Sequence, residues 1–244
     1  MDRYTSTEQG QQVPGTGGIG PNAVLRFVLF VFVVPGLLFL AAGTVNWPTA
    51  WAYLAINIAF TFGSRFVVLR RNPELLAERA RYMEGEGAKS WDKTLVPLVA
   101  QWGPMLMLIV AGLNRRFGWQ PAIPVEIQVV ALVVLVLGSA FATWAMAVNR
   151  FFSAVVRIQK DRGHTVVTAG PYQFVRHPGY AGGIVAQFAT PLALGAPWAL
   201  IPAVLTAGLT VLRTALEDRT LHEELDGYKE YAQRVRYRLL PGIW

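Results

Sequence analysis

Arg213 and Glu217 lie four residues apart, where a long apolar stretch gives way to the charged C-terminal sequence. Residues four apart in a helix face the same side, so these two charges would be presented together at the edge of a membrane. They form either part of a binding site or an ordinary surface ion pair, because a charge near the end of a spanning helix costs little. Glu223 and Glu224 fit a solvated helix face.

The second group of candidate residues lies in TAGPYQFVRHPGY, residues 168–180. Pro171 and Pro178 fix their own φ and keep Gly170 and His177 out of a regular helix. Irregular backbone at membrane depth persists only where it is buried in protein or lines a cavity, and a ligand would supply the missing hydrogen-bond partners. The segment is therefore either a ligand-binding loop or a rigid turn anchored by tyrosines at the membrane interface.

Several common kinds of site are excluded by what the sequence lacks. It has no cysteine, and its three histidines, His164, His177 and His222, do not show the spacing of metal ligands. No glycine-rich dinucleotide or phosphate loop and no GxSxG element is present. We expect no metal and no soluble nucleotide-binding domain.

The composition is that of an integral membrane protein. Of the 244 residues, 53% are hydrophobic and 15% are charged, and the mean hydropathy is +0.36. The net charge of +7 comes from basic residues between apolar stretches. It therefore indicates loops facing anionic membrane lipids, and we expect no nucleic-acid partner. Residues 1–21 predict a flexible polar tail.

Six apolar stretches predict an all-α, polytopic membrane protein with five to six transmembrane segments. The fifth is short and contains Pro191, so it is expected to be kinked or only partly crossing, and the turn at Leu194–Trp198 joins it to the sixth as a hairpin. Residues 22–148 are predicted to form the N-terminal transmembrane helices, and residues 149–244 a C-terminal subdomain that contains both groups of candidate residues. The stretches are Ala23–Gly43, Trp51–Leu69, Leu95–Leu113, Ile127–Val148, Tyr180–Leu194 and Trp198–Leu212.

The distribution of lysine and arginine predicts the orientation. Seven basic residues lie from Arg65 to Lys93, around the connection of the second and third stretches, five between the fourth and fifth, and six in the tail from Arg213, whereas the opposite connections carry only Arg115 and Arg116. The positive-inside rule then places both termini on the cytoplasmic side of the cell membrane. Residues 150–180 and 213–244 would share that face and form one site.

The two segments together resemble a known family. HTVVTAGPYQFVRHPGY (164–180), followed after a hydrophobic hairpin by RTALEDRTLHEELDGYKEY (213–231), is similar to the isoprenylcysteine carboxyl methyltransferase family, roughly over Phe152–Pro241. The resemblance implies an integral membrane enzyme that uses S-adenosylmethionine and methylates a lipophilic acceptor, a carboxylate or similar group, at the cytoplasmic surface. Its partners would be that lipophilic or lipidated acceptor and membrane lipids.

The resemblance also implies roles for particular residues. Arg213, facing the acceptor, and Glu217, which would also contact the cofactor, are the implied catalytic residues. An acceptor carboxylate is ionised at pH 7 and needs no base, and Arg213 would bind it by charge-assisted hydrogen bonds. The implied cofactor-binding residues are Gln159, His164, Thr165, Val166, Val167, Tyr172, His177, Pro178, Gly179, Tyr180 and Glu217.

Two positions depart from the family pattern. Asp218 replaces a second glutamate, and LDGY at Leu225–Tyr228 is one residue shorter than usual; both are expected at the periphery of the site. Two other functions stay open. The closing VRYRLLPGIW and the RHPxY element also resemble membrane sterol reductases, which use a nicotinamide cofactor but typically have Asn where this chain has Gly179. The second open function is that of a non-catalytic lipid-binding protein.

Overall fold

The computed structural model describes residues 21–75 and 87–244, with side chains from residue 32 onward. The predicted N-terminal tail and part of the basic connection after the second helix lie outside the described residues. Within them the chain is helical and no strand occurs, as predicted for an all-α protein. The helices are α1 (Pro21–Ala42), α2 (Pro48–Arg71), α3 (Ser90–Phe117), α4 (Val125–Val148), α5 (Pro178–Ala193), α6 (Leu200–Glu224) and α7 (Tyr228–Arg234).

Four of the described helices are long and apolar enough to cross a membrane. These are α2, α3, α4 and α6, the last counted with the short turn that precedes it, and each has 24 or 28 residues. A bilayer core of about 30 Å needs about 20 helical residues. The prediction of a polytopic helical membrane protein is therefore confirmed.

Helix α5 is shorter than the other apolar helices of the C-terminal half. Its 16 residues include Pro191, and at 1.5 Å per residue it reaches only about 24 Å. Gly195 then takes a left-handed conformation, φ +64°, which a residue without a Cβ adopts readily. The chain reverses there and enters α6, so α5 and α6 form the predicted hairpin.

Small residues let α4 and α5 pack closely. A Cβ on Gly138 would lie 2.8 Å from the carbonyl oxygen of Gly182, and one on Gly182 would lie 2.8 Å from the amide nitrogen of Ala142. Close backbone approach at small residues is how helices associate in lipid, where no hydrophobic force draws them together. The pair α4–α5 is thereby a firm support for the loop that connects the two helices.

Helix α3 is irregular at its centre. Leu98–Trp102 form a wide π-helical turn between two α-helical parts, a feature that often occurs at functional sites. The following Gly103 packs against the side chain of Thr206 in α6. Helix α3 thus contacts the hairpin near the middle of its length.

Candidate active site

One cavity of about 790 Å³ collects most of the residues that the sequence singled out. It lies among α2, α3, α6, α7, the loop of residues 149–177 that joins α4 to α5, and the ends of those two helices. Ten of the twelve predicted site residues line it. They are His164, Thr165, Val166, Val167, Tyr172, His177, Gly179, Tyr180, Arg213 and Glu217.

The remaining two predicted residues lie beside the cavity. Gln159 is fully buried; its side-chain nitrogen donates to the carbonyl of Phe151 at 2.8 Å, and its oxygen accepts from Arg162. Pro178 is buried at the first position of α5. Both residues stabilise the fold of the loop, so the structure gives them a supporting position and no place in the cavity wall.

Arg213 is paired with a carboxylate that the sequence analysis did not single out. Its Nε and Nη2 donate to the two oxygens of Asp92 in α3, at 2.6 and 3.0 Å, and Nη2 also donates to the carbonyl of Ala154 at 3.0 Å. Asp92 is fully buried. No sequence signal marks this pair, because an acidic residue in the first turn of a helix is common.

Glu217 has a different partner from the one that its spacing suggests. The hydroxyl of Tyr180 donates to its Oε2, and among the described residues Glu217 forms no ion pair. The guanidinium carbon of Arg213 lies 5.2 Å from the centre of the Tyr180 ring. Tyr180 therefore lies between the two charges and contacts both.

Asp218 does not line the cavity, but it binds three residues that do, Arg176, His177 and Tyr228. It is fully buried and accepts hydrogen bonds from Arg176 at 2.8 and 3.0 Å, from His177 at 3.1 Å, from Tyr228 at 2.8 Å and from Arg238 at 2.7 Å. A buried charge is tolerated when several donors surround it. Asp218 joins α6, the loop and the C-terminal segment into one unit.

The shortened LDGY segment also lies at the site. Leu225 and Tyr228 both line the cavity, and Gly227 between them has φ +80°. The hydroxyl of Tyr231 in α7 donates to the carbonyl of Tyr172 at 2.7 Å. The peripheral position that we expected for LDGY is therefore wrong, because the turn folds α7 back over the loop.

His164 is held as a neutral ring. Burial first, and then the nearby arginines Arg157, Arg162 and Arg150, lower its pKa to about 4. Its Nδ1 accepts the amide hydrogen of Gln159 at 3.3 Å, so the neutral ring carries its proton on Nε2. His164 is thus a neutral hydrogen-bond donor at the cavity wall near pH 7.

Burial also keeps the loop and α7 tyrosines protonated. It raises the pKa of Tyr172, whose hydroxyl accepts from Asn149 Nδ2 at 2.9 Å, and the pKa of Tyr228, where the carboxylate of Asp218 adds to the effect. Tyr172 and Tyr228 therefore offer neutral rings and hydroxyl groups to a ligand across the physiological pH range.

The N-terminal helices supply the apolar part of the cavity wall. Helix α2 contributes Phe62, Val68 and Leu69, with Ser64 and Arg65, and α3 contributes Val96, Val99 and Ala100. None of these residues belongs to the motifs that predicted the site. The wall formed by the loop and α6, here called the polar end, carries most of the polar groups, whereas the wall formed by α2 and α3, here called the apolar end, is apolar apart from Ser64 and Arg65.

A second cavity, of about 690 Å³, has a different character. It lies along α4 and α5 and is also lined by Leu239, Leu240, Ile243 and Trp244; every residue that lines it is apolar. It has no group to bind a charged ligand. Within residues 21–75 and 87–244, no cluster of three or more His, Asp or Glu side chains is placed to bind a metal.

Comparison with known proteins agrees with the resemblance. Residues 129–224 match the model of the isoprenylcysteine carboxyl methyltransferase (ICMT) family. All twelve predicted site residues fall within this range, whereas Asp92 and helices α1–α3 lie outside it. The predicted resemblance is confirmed over less than half of the chain.

Individual relatives match over a similar region. A probable protein-S-isoprenylcysteine O-methyltransferase of Oryza sativa subsp. indica is 30% identical over 117 residues, 45% of this chain and 59% of that protein. Protein-S-isoprenylcysteine O-methyltransferase B of Arabidopsis thaliana is 32% identical over 107 residues, which are 43% of this chain and 54% of that protein. The Homo sapiens protein-S-isoprenylcysteine O-methyltransferase is 32% identical over 117 residues, which are 45% of this chain and 39% of that protein. The matches thus span between about two fifths and three fifths of these relatives.

Proposed function

We propose that this chain, whose C-terminal region is similar to the isoprenylcysteine carboxyl methyltransferases, is an integral membrane methyltransferase that uses S-adenosylmethionine. The observation that carries the proposal is the position of the histidine-bearing loop and the Arg213–Glu217 helix on one cavity. The acceptor that we propose is a lipophilic or lipidated molecule with a carboxylate or similar group, as the names of the relatives indicate for those proteins.

The polar end of the cavity suits the cofactor. When bound, S-adenosylmethionine supplies a methyl group activated by its sulfonium charge. Glu217 has the charge to attract the sulfonium, His164 Nε2–H is a neutral donor for a carboxylate or ribose oxygen, and the rings of Tyr172 and Tyr180 are surfaces for an adenine. A volume of about 790 Å³ is within the usual range of ligand pockets, about 300–1,000 Å³.

The apolar end suits the acceptor's hydrocarbon part. Helices α2 and α3, which line it, are long and apolar enough to span the bilayer. A lipophilic acceptor then reaches the cavity from the lipid, while a water-soluble cofactor reaches the polar end from the aqueous side. We infer that this end, which lies outside the region matched to the family, selects the acceptor.

The chemical contribution of the protein is mainly positioning. A carboxylate acceptor attacks in its ionised form, so no general base is required, and holding the reacting atoms in line lowers the barrier. Arg213 lines the cavity, and within the described residues its Nη1 donates no hydrogen bond. That nitrogen is suited to hold an acceptor oxygen while Asp92 holds the other side of the guanidinium.

Ligand binding tests the proposal directly. In detergent, S-adenosylhomocysteine should raise the melting temperature of the protein, and a reduced nicotinamide cofactor should not. The Glu217→Gln variant should bind S-adenosylmethionine about tenfold more weakly, because one hydrogen-bonded or ion-paired charge contributes roughly 1.5–3 kcal/mol. A methyl-label transfer assay on total lipid and membrane-protein extracts then identifies the acceptor.

Two results would contradict the proposal. Stabilisation by the reduced nicotinamide alone would favour a reductase of the sterol type. Stabilisation by neither ligand, with no label transferred, would favour a non-catalytic lipid-binding protein. Asp226→Asn, an exposed acid outside the cavity, is the matched control for the Glu217 variant.

A further inference from the structure

Arg213 and Glu217 are close enough in the helix to pair, yet they do not. Residues four apart on a helix are neighbours, and both side chains line the same cavity. Instead Arg213 binds Asp92 with two hydrogen bonds, and Glu217 accepts from Tyr180. The structure thus has a competing carboxylate where a simple i,i+4 ion pair would otherwise form.

Asp92 is itself firmly held. Its Oδ2 accepts the amide hydrogen of Val156 at 2.6 Å, and the amide of Lys89 donates to the carbonyl of Val156 at 3.0 Å. These bonds fix the start of α3 to the loop at the cavity wall. Asp92 also lies in the first turn of its helix, where the helix dipole favours a negative charge. The acceptor for Arg213 is therefore preorganised.

We propose that Asp92 is a positioning residue that keeps Arg213 away from Glu217, so that the Glu217 carboxylate stays available to the positively charged methyl donor. The inference rests on the proposed function. It assigns a role in cofactor discrimination to α3, a helix outside the region that matches the family. Without the Asp92 charge, Arg213 would turn to Glu217, and the charge at the cofactor end of the cavity would be neutralised.

The distinguishing property is the charge of the ligand. S-adenosylmethionine carries a sulfonium, whereas S-adenosylhomocysteine has a neutral thioether in its place. An Arg213–Glu217 pair would weaken binding of the first much more than of the second. A purely structural defect would weaken both alike, so the ratio of the two Kd values separates positioning from structure.

The experiment measures both Kd values by calorimetry on the full chain in detergent. For Asp92→Asn we expect the ratio of the S-adenosylmethionine Kd to the S-adenosylhomocysteine Kd to rise about tenfold. The reason is that the sulfonium would lose one charge-assisted contact with Glu217. In the double variant Asp92→Asn, Arg213→Met the ratio should return to within about twofold of wild type, since no guanidinium remains to pair with Glu217. Asp226→Asn should leave it unchanged.

The possible outcomes distinguish a failure of this role of Asp92 from a failure of the proposed function. An unchanged ratio in Asp92→Asn, or no recovery in the double variant, would overturn this role of Asp92 while the proposed function stands. A wild-type chain that binds neither ligand would overturn the proposed function and this role with it. If Asp92→Asn does not fold, as judged by thermal denaturation without ligand, Asp92→Ser carries the same expectation, because it also removes the charge.

Discussion

At the scale of single residues, the site depends on which charges are paired and which are not. Arg213 and Asp218 are buried, and each has its own set of partners: Asp92 for Arg213, and Arg176 with Arg238 for Asp218. Removing one member of such a pair leaves a buried charge uncompensated, which typically costs about 3–5 kcal/mol. Glu217 differs because its described partner is the neutral hydroxyl of Tyr180.

His164 leads to a prediction about pH. Its pKa is about 4 in the folded protein and 6.5 in the unfolded chain, so between these values the unfolded state binds more protons and stability falls as the pH is lowered. Relative to His164→Phe, which keeps a ring against Phe151, wild type should lose melting temperature from pH 6.5 down to pH 4, and the difference between the two proteins should stay constant above pH 7. Thermal denaturation across this range measures the effect.

The two melting curves should diverge only within that window. A parallel pH dependence of both proteins would show that His164 does not titrate as described. The substitution also removes the hydrogen bond from the Gln159 amide, which contributes a pH-independent offset, so the comparison uses the slope with pH and not the absolute melting temperature.

At the scale of elements, the loop of residues 149–177 is held from two sides. Helices α4 and α5 fix its ends, and the Asp218 cluster fixes its C-terminal part to α6 and to the segment after α7. The amides of Arg176 and His177 donate to the carbonyls of Tyr237 and Arg238, both at 2.9 Å. The irregular backbone that the prolines and glycines predicted is thus stabilised by protein partners on one side and lines the cavity on the other.

The contact of α4 with α5 provides a prediction with a matched control. In Gly182→Ala the new Cβ would lie 2.8 Å from the amide nitrogen of Ala142, whereas in Gly183→Ala, one residue along the same helix, nothing lies within 4 Å. Overpacking of this kind costs about 1–3 kcal/mol. We expect a clear fall in melting temperature for Gly182→Ala and none for Gly183→Ala.

Cofactor binding is the second measurement for this pair. Because α5 begins at the site with Pro178, Gly179 and Tyr180, a displaced α5 should also weaken S-adenosylhomocysteine binding in Gly182→Ala. Equal melting temperatures for the two variants would show that α4 and α5 accommodate the added methyl group with no loss of stability.

At the scale of the whole molecule, the site lies at the end of the helices where the basic residues gather. The loop of residues 149–177 and the tail from Arg213 onward carry eleven lysines and arginines. The structure places both at one cavity, opposite the turns at Gly118–Pro124 and Leu194–Pro197. With the positive-inside rule, we propose that the site and both termini lie on the cytoplasmic side.

The absence of native cysteine makes this orientation testable. Single cysteines introduced as Lys160→Cys and Asp226→Cys should react with a membrane-impermeant maleimide only from the cytoplasmic side of sealed vesicles. Ala122→Cys, in the turn between α3 and α4, should react only from the other side. All three positions are exposed. Labelling of Lys160→Cys and Ala122→Cys from the same side would contradict the predicted topology.

The sequence by itself determined the helical membrane class, the hairpin of α5 and α6, and the two segments that meet at the cavity. Hydrophobic length, proline and glycine positions and the local motifs are all visible along the chain. Only the tertiary structure decided which charged side chains pair with one another. Asp92 lies 121 residues before Arg213, and Asp218 binds Arg176, 42 residues earlier, and Arg238, 20 residues later. Such pairings depend on how helices pack, and no local pattern specifies them.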